Sequence, residues 1–108
     1  MILEIRTYRL TPDSDVEFTR LFREEALPLL ADLGIRVVAF GLSLASEDGR
    51  RDGYLIRAFA SLEDRERQEN EFYGSRAWRE GPREAILSLI QDYHTVVLDA
   101  PQELNLRA

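Results

Sequence analysis

From Ile2 to Leu10 the chain alternates with a period of two. Leu3, Ile5 and Thr7 lie on one face, and Ile2, Glu4, Arg6, Tyr8 and Leu10 on the other, which predicts a strand over 2–10. The turn TPDSD follows. Apolar residues then recur at helical spacing, with Phe18, Leu21, Phe22, Ala26, Leu29, Leu30 and Leu33 forming a stripe, so a helix is predicted over 14–33. Pro28 interrupts it, and the helix kinks or restarts there before Gly34 stops it. Two apolar runs, 35–45 and 53–60, read as strands joined through the polar stretch SEDGRRDG as a hairpin. Ser61 and Asp64 resemble a capping box opening a helix over 62–73, in which Glu63/Arg67, Arg65/Glu69 and Arg67/Glu71 fall at i,i+4. That charge run reads as a solvated face, with Leu62, Phe72 and Tyr73 as the buried anchors. Pro82 opens a further helix, 82–91, and the last strand covers 93–99.

The order β, α, β, β, α with a split or double helix, then β, predicts an α+β fold of ferredoxin-like type: βαββαβ, a four-stranded antiparallel sheet with helices on one face. Both faces of the sheet carry apolar residues. On the second strand Val37 and Ala39 oppose Val38, Phe40, Leu42 and Leu44; on the third, Ile56 and Ala58 oppose Leu55 and Phe59. Helices cover one face only. The other forgoes roughly 1.5 to 3 kcal/mol per large side chain if left to water. A second copy of the chain, packed sheet to sheet around a two-fold axis into an α/β barrel, is the expected cover. Parity assigns Leu3 and Ile5 to the helix side, and Glu4, Arg6 and Tyr8 to the side facing the partner. A bulge in any strand inverts part of that assignment.

Composition narrows the chemistry. The chain has 108 residues, one domain's worth, with 44% apolar and 31% charged residues and a net charge of -6. An acidic chain with no basic patch is not expected to bind nucleic acid or an anionic membrane. No apolar run is long enough for a membrane span and no basic-then-apolar leader opens the chain, so a cytoplasmic location is expected. There is no cysteine, which removes thiolate nucleophiles and thiolate metal sites. All fourteen basic side chains are arginine, which removes Schiff-base chemistry and a P-loop lysine. His94 is the single histidine, so no histidine-rich metal site is expected within one chain.

The polar row on the first strand is the candidate site. Arg57, between Leu55 and Phe59, joins Glu4, Arg6 and Tyr8 on the same face. A buried arginine needs a carboxylate, a carbonyl or a ligand anion, because desolvating an unpaired charge costs several kcal/mol. Glu4 pairing with Arg57 or Arg6 across the sheet, only to hold register, explains the row as well as a binding site does. For a site, Arg6, Tyr8, Arg57 and His94 are the candidate catalytic groups, and Glu4, Phe40, Phe59 and Trp78 the candidate substrate contacts. Trp78 also reads as a packing anchor, and His94 as an ordinary hydrogen-bonded residue. No cofactor is expected, with haem held through His94 kept as an alternative.

The segments MILEIRTYRLTPD, VEFTRLFREEALPLLADLG and YLIRAFASLEDRER followed by SRAW resemble the NIPSNAP family of the dimeric α/β-barrel superfamily. Its members open with Met-x-x-Glu-Leu-Arg-x-Tyr and continue with an apolar strand ending in Ser-Leu-x-x-Arg. The likeness runs over residues 1 to 98. Glu4, Arg6, Tyr8, Ser61, Leu62, Arg65 and Trp78 fall on the pattern, whereas Ile5 and Asp13 stand where leucine and glycine are usual. The resemblance implies a homodimer whose sheets enclose a cavity. Related members of the superfamily include cofactor-independent monooxygenases, polyketide cyclases, aldoxime dehydratases and chlorite dismutases, and fold analogy does not choose among them. Three readings follow. One is an enzyme acting on an aromatic or polyketide-like compound, with Arg6 or Arg57 stabilising an enolate or phenolate and Tyr8, Glu4 or His94 moving a proton. The others are a metabolite-binding module and a purely structural dimer.

Overall fold

The computed structural model describes residues 1–101. Strand β1 (Ile2–Leu10) leads into α1 (Asp15–Leu21), which runs without a break through one wide π turn (Phe22–Ala26) into α2 (Leu27–Asp32). Strands β2 (Arg36–Leu42) and β3 (Asp52–Phe59) form the hairpin. Then come α3 (Leu62–Gly74), two short helices, α4 (Arg76–Glu80) and α5 (Arg83–Leu87), and β4 (Ile90–Asp99). The sheet is four-stranded in the order β2-β3-β1-β4 and its pairings are antiparallel. This is the ferredoxin-like arrangement expected from the pattern.

The physical cause of each boundary is local. Pro28 has no N–H to offer the carbonyl of Glu24, and just before it the winding loosens, with the Leu27 N–H reaching back five residues to Phe22 O. Gly34 takes φ 75°, and the chain closes α2 with Gly34 N–H to Ala31 O at 3.0 Å and Ile35 N–H to Leu30 O at 3.0 Å. Asp13 sits at φ 61° in the left-handed region. At the start of α3 the Ser61 hydroxyl accepts the Asp64 N–H at 3.1 Å, as the capping pattern predicts. Trp78 lies in α4, whose N-terminus Ser75 caps through the Trp78 N–H.

One expectation is reversed. Ile2, Glu4, Arg6, Tyr8 and Leu10 do share a face with Leu55, Arg57, Phe59, Phe40 and Leu42, but that face lies under the helices. Tyr8 packs on Phe18 and Phe22, Phe22 stacks on Phe40 at 4.7 Å, and Glu4, Arg57, Leu55 and Phe59 are buried in the core layer. The open face instead carries Leu3, Ile5, Thr7, Tyr54, Ile56, Ala58, Val96 and Leu98, the residues in register with one another across β3, β1 and β4. Two facts explain the reversal. The charged groups neutralise one another inside, so they can lie beneath helices, and a bulge in β2 between Val37 and Ala39 moves Val37 to the core side. Leu44, expected on the apolar face, lies beyond β2 and is fully exposed.

Candidate active site between helices and sheet

Glu4 and Arg57 stand directly opposite each other in the β1–β3 register. Their side chains are fully buried. Arg57 Nε donates to Glu4 Oε1 at 2.9 Å, and its Nη2 closes a second contact with the same oxygen. The pair is therefore the cross-strand ion pair expected as the plainer reading of the row. The geometry then goes further, because α3 completes it.

Capping at Ser61 fixes the phase of α3, so Arg65, Glu69, Phe72 and Tyr73, at i, i+4, i+7 and i+8, turn towards the sheet. Arg65 Nε donates to Glu4 Oε2 at 2.7 Å and lies 3.1 Å from Glu69 Oε2. The Tyr73 hydroxyl accepts from Arg6 Nη1 at 3.0 Å and from Arg57 Nη1 at 3.1 Å. A phenol oxygen that accepts twice keeps its own proton for a third partner. Arg6 is steadied by Thr95, whose hydroxyl accepts from Nε at 3.0 Å, and its guanidinium lies over the Tyr93 ring at 5.2 Å.

Above this floor is a cavity of about 440 Å³, lined at its polar end by Arg6, Arg57, Glu69 and Tyr73 and elsewhere mainly by apolar and aromatic groups such as Phe22, Leu55, Phe72, Trp78 and Ile86. Three guanidiniums, those of Arg6, Arg57 and Arg65, meet two carboxylates, so the floor carries a surplus positive charge. It favours an anion or a developing oxyanion.

The two carboxyls are driven apart. Burial alone would raise Glu4, but the hydrogen bond from Glu69 and the charge and hydrogen bonds of Arg57 overcome it and lower Glu4 to about 2. Glu69 is raised to about 7, first by burial and then by its hydrogen bond with Glu4, against the pull of Arg57 and Arg65. Its Oε2 is buried and, despite the nearby Arg65, has no aligned hydrogen bond among the described residues. Two neighbouring carboxyls with such separated affinities for a proton make one permanent anion and one proton carrier near neutrality.

Of the residues singled out in the sequence, Arg6, Tyr8, Arg57 and Trp78 line this cavity and Glu4 lies just behind it. Phe40 and Phe59 sit in the packed core outside its lining. Their parity is as expected, but the cavity is within the chain and not between sheets. His94 is exposed on the open face, in register with Thr7, on the opposite side of the sheet from the cavity. Among the described residues no cluster of histidine, aspartate or glutamate is disposed to hold a metal ion. Three contributors were not singled out for a site: Arg65, Glu69 and Tyr73. The i,i+4 pair Arg65/Glu69 was visible as a solvated pair, and only its alignment with Tyr73 on one helix face marks it as inward.

Fold and site together define a ferredoxin-like α+β domain with a polar-floored cavity between helices and sheet. The chain belongs to the NIPSNAP family, whose model matches residues 3–100. A NIPSNAP family protein from Agrobacterium tumefaciens superposes with a TM-score of 0.86 at 21% identity, covering 98% of each chain. An uncharacterised NIPSNAP domain protein from Burkholderia xenovorans gives 0.81 at 19% identity, over 97% of this chain and 99% of its own. A putative antibiotic biosynthesis monooxygenase from Nitrosomonas europaea gives 0.60 at 16% identity, over 93% and 98%. At these identities the likeness is one of fold. No curated protein matches the chain. Among the described residues no helix is long and apolar enough to cross a membrane.

Proposed function

We propose that this protein is a cofactor-independent enzyme that removes a proton next to the carbonyl of an aromatic small molecule. The observation that carries the reading is the convergence of Arg6, Arg57 and the Tyr73 hydroxyl on one wall of an otherwise largely apolar cavity that Glu69 also lines. Glu69 as carboxylate takes the proton, and the electron pair of the broken C–H bond moves to the carbonyl oxygen. That oxyanion is met by the Tyr73 O–H and the surplus charge of the arginines. Protonated Glu69 then returns the proton to carbon, or the enolate goes on to ring closure or to dioxygen. Such a step is shared by cyclase-like and monooxygenase-like chemistry on polyketide-like compounds. Arginine suits the role because it stays charged at any working pH. Glu69 takes the base role over Tyr8, whose phenol is held neutral by burial, with its proton affinity raised.

The test is proton exchange. Aryl methyl ketones in heavy water, with acetophenone as the first, are expected to exchange their methyl protons faster with the protein than in buffer. Glu69→Gln is expected to lower the catalysed rate by about 10²- to 10⁴-fold. Exchange equal to buffer across the panel overturns the reading, and retention of a ligand without exchange would favour the binding module instead.

The same reading includes a homodimer. Ile5 and Ile56 are half-buried and Val96 and Leu98 stand 40% and 43% exposed on the open face of the single chain, a surface that a second copy packed sheet to sheet would cover. Sedimentation as a single folded chain at micromolar concentration would remove that part.

A further inference from the structure

One group in the cavity is left over by this chemistry. Tyr8 is 6% exposed and lines the cavity, its ring held between Phe18 and Phe22 at 5.4 and 5.9 Å. Its hydroxyl makes no hydrogen bond to another described residue and faces the cavity. The hydroxyl oxygen is not sealed off, and water or a ligand oxygen can meet it there. Phenylalanine would fill the same aromatic slot without offering that contact. The hydroxyl is thus placed for something that enters the cavity.

Its position says what. Tyr8 and Arg6 are two residues apart on one face of β1, which separates their Cα atoms by roughly 6.8 Å. The oxyanion floor is built around Arg6, Arg57 and Tyr73, and Arg57 lies further along the same direction, opposite Glu4. Leu55, Phe22 and Phe72 line the same cavity, so an apolar ring reaching from the floor towards Tyr8 would meet apolar neighbours. Resting on the function proposed above, we propose that Tyr8 selects substrates with a second oxygen at the far end of the ring from the reacting carbonyl, which it engages by a hydrogen bond. The substrate class is then a para-oxygenated aryl ketone, or a fused-ring analogue with the same separation of oxygens. Tyr8 is a specificity residue here and moves no proton in the reaction. Burial favours the neutral phenol, which both donates and accepts, so a hydroxyl and a carbonyl oxygen are each acceptable.

The experiment uses para-hydroxyacetophenone and acetophenone as probes and reads the ratio of their kcat/KM values for methyl-proton exchange in wild type and in Tyr8→Phe. The ratio cancels the different acidities of the two ketones between proteins. It is expected to fall by about three- to tenfold in the variant, the worth of one neutral hydrogen bond. Catalysed exchange of both ketones with the same ratio in both proteins overturns this inference and leaves the proposed function standing. Exchange of neither ketone above buffer overturns both. Should Tyr8→Phe lose its fold by circular dichroism, the wild-type protein decides through anisole-type probes. Para-methoxyacetophenone can accept from Tyr8 and keeps the preference over acetophenone, whereas para-ethylacetophenone, of similar size, loses it; equal kcat/KM for these two sinks the assignment.

Discussion

The helix-covered face of the sheet is built in two ways at its two ends. Around Tyr8 it is filled with rings: Phe18, Phe22 and Phe40 lie within 6 Å of one another by centroid, and β3 passes beneath them at Gly53. A Cβ on Gly53 would stand 2.6 Å from the Phe18 ring, so that close approach requires glycine. Around Glu4, four rungs away on the same strand pairing, the layer is closed by ion pairs, and a cavity remains above them. Rings remove water without needing partners, and at this end the Tyr8 hydroxyl alone brings a polar group, at the cavity edge. Charges remove water only by pairing, and here the pairing leaves a spare proton on Tyr73 and an unaligned oxygen on Glu69. The proposed chemistry lies where the packing is electrostatic.

The largest blow to this contrast comes from the charged end. Arg57→Met leaves Glu4 buried with Arg65 at 2.7 Å and Arg6 at 3.8 Å as its remaining ion-pair partners and is expected to lower stability by about 3 to 5 kcal/mol in urea unfolding. Adding Glu4→Leu should restore part of that loss, because the uncompensated carboxylate goes with it. The ring end is expected to answer to volume alone: Gly53→Ala overpacks against Phe18 and should cost about 1 to 3 kcal/mol, with Phe18→Leu relieving part of it in the double variant.

Proton affinity separates the ends next. Glu69 binds its proton more tightly folded than unfolded, so between about 4.5 and about 7 the native state holds more protons and stability falls as pH rises, with a slope no steeper than ~1.4 kcal/mol per pH unit. Glu4 acts oppositely. Its lowered affinity contributes stability above the unfolded carboxylate range that is lost as pH falls from about 4.5 towards about 2. Stability measured against pH should therefore fall on the alkaline side of about 4.5, and Glu69→Gln should flatten that limb. The smallest effect lies outside both ends. Asp13→Gly relaxes a left-handed residue and is expected to raise stability by up to ~1 kcal/mol, read as a small rise in Tm.

Much of this was legible in the chain before any coordinates. The period-two run gave β1 at its observed ends, Gly34 gave the stop of α2, and Ser61 the start of α3. The rule that a buried arginine must be neutralised left Glu4 to pair with Arg57 or Arg6, or a ligand to take the charge, and the structure makes the pair with Arg57. Which face met the helices was not legible, because parity sorts side chains into two sets without saying which set is inside. Charged residues are rarely buried, so the reasonable choice placed Leu3 and Ile5 inward, and only the contribution of α3 makes the opposite choice affordable. Arg65, Glu69 and Tyr73 escaped for the same reason. Their helix looks solvated until its partner strand is known.

The wide turn at Phe22–Ala26 gives the cavity a feature of backbone origin. Phe22, Ala26 and Leu30 all line it, four residues apart each time, a spacing that even α-helical winding would let drift by about 40° per step. The looser turn, with i→i+5 bonding, rotates the other way and offsets that drift, and Pro28, lacking the N–H that regular winding would bond to Glu24 O, favours the wide turn before it. Deleting a single residue there would rotate the downstream wall by about 100°, turning Ala26 and Leu30 aside. The breadth of the chamber is in that sense written in how the main chain coils, so it can change in one step by insertion or loss, where exchanges of side chains could only retouch its lining.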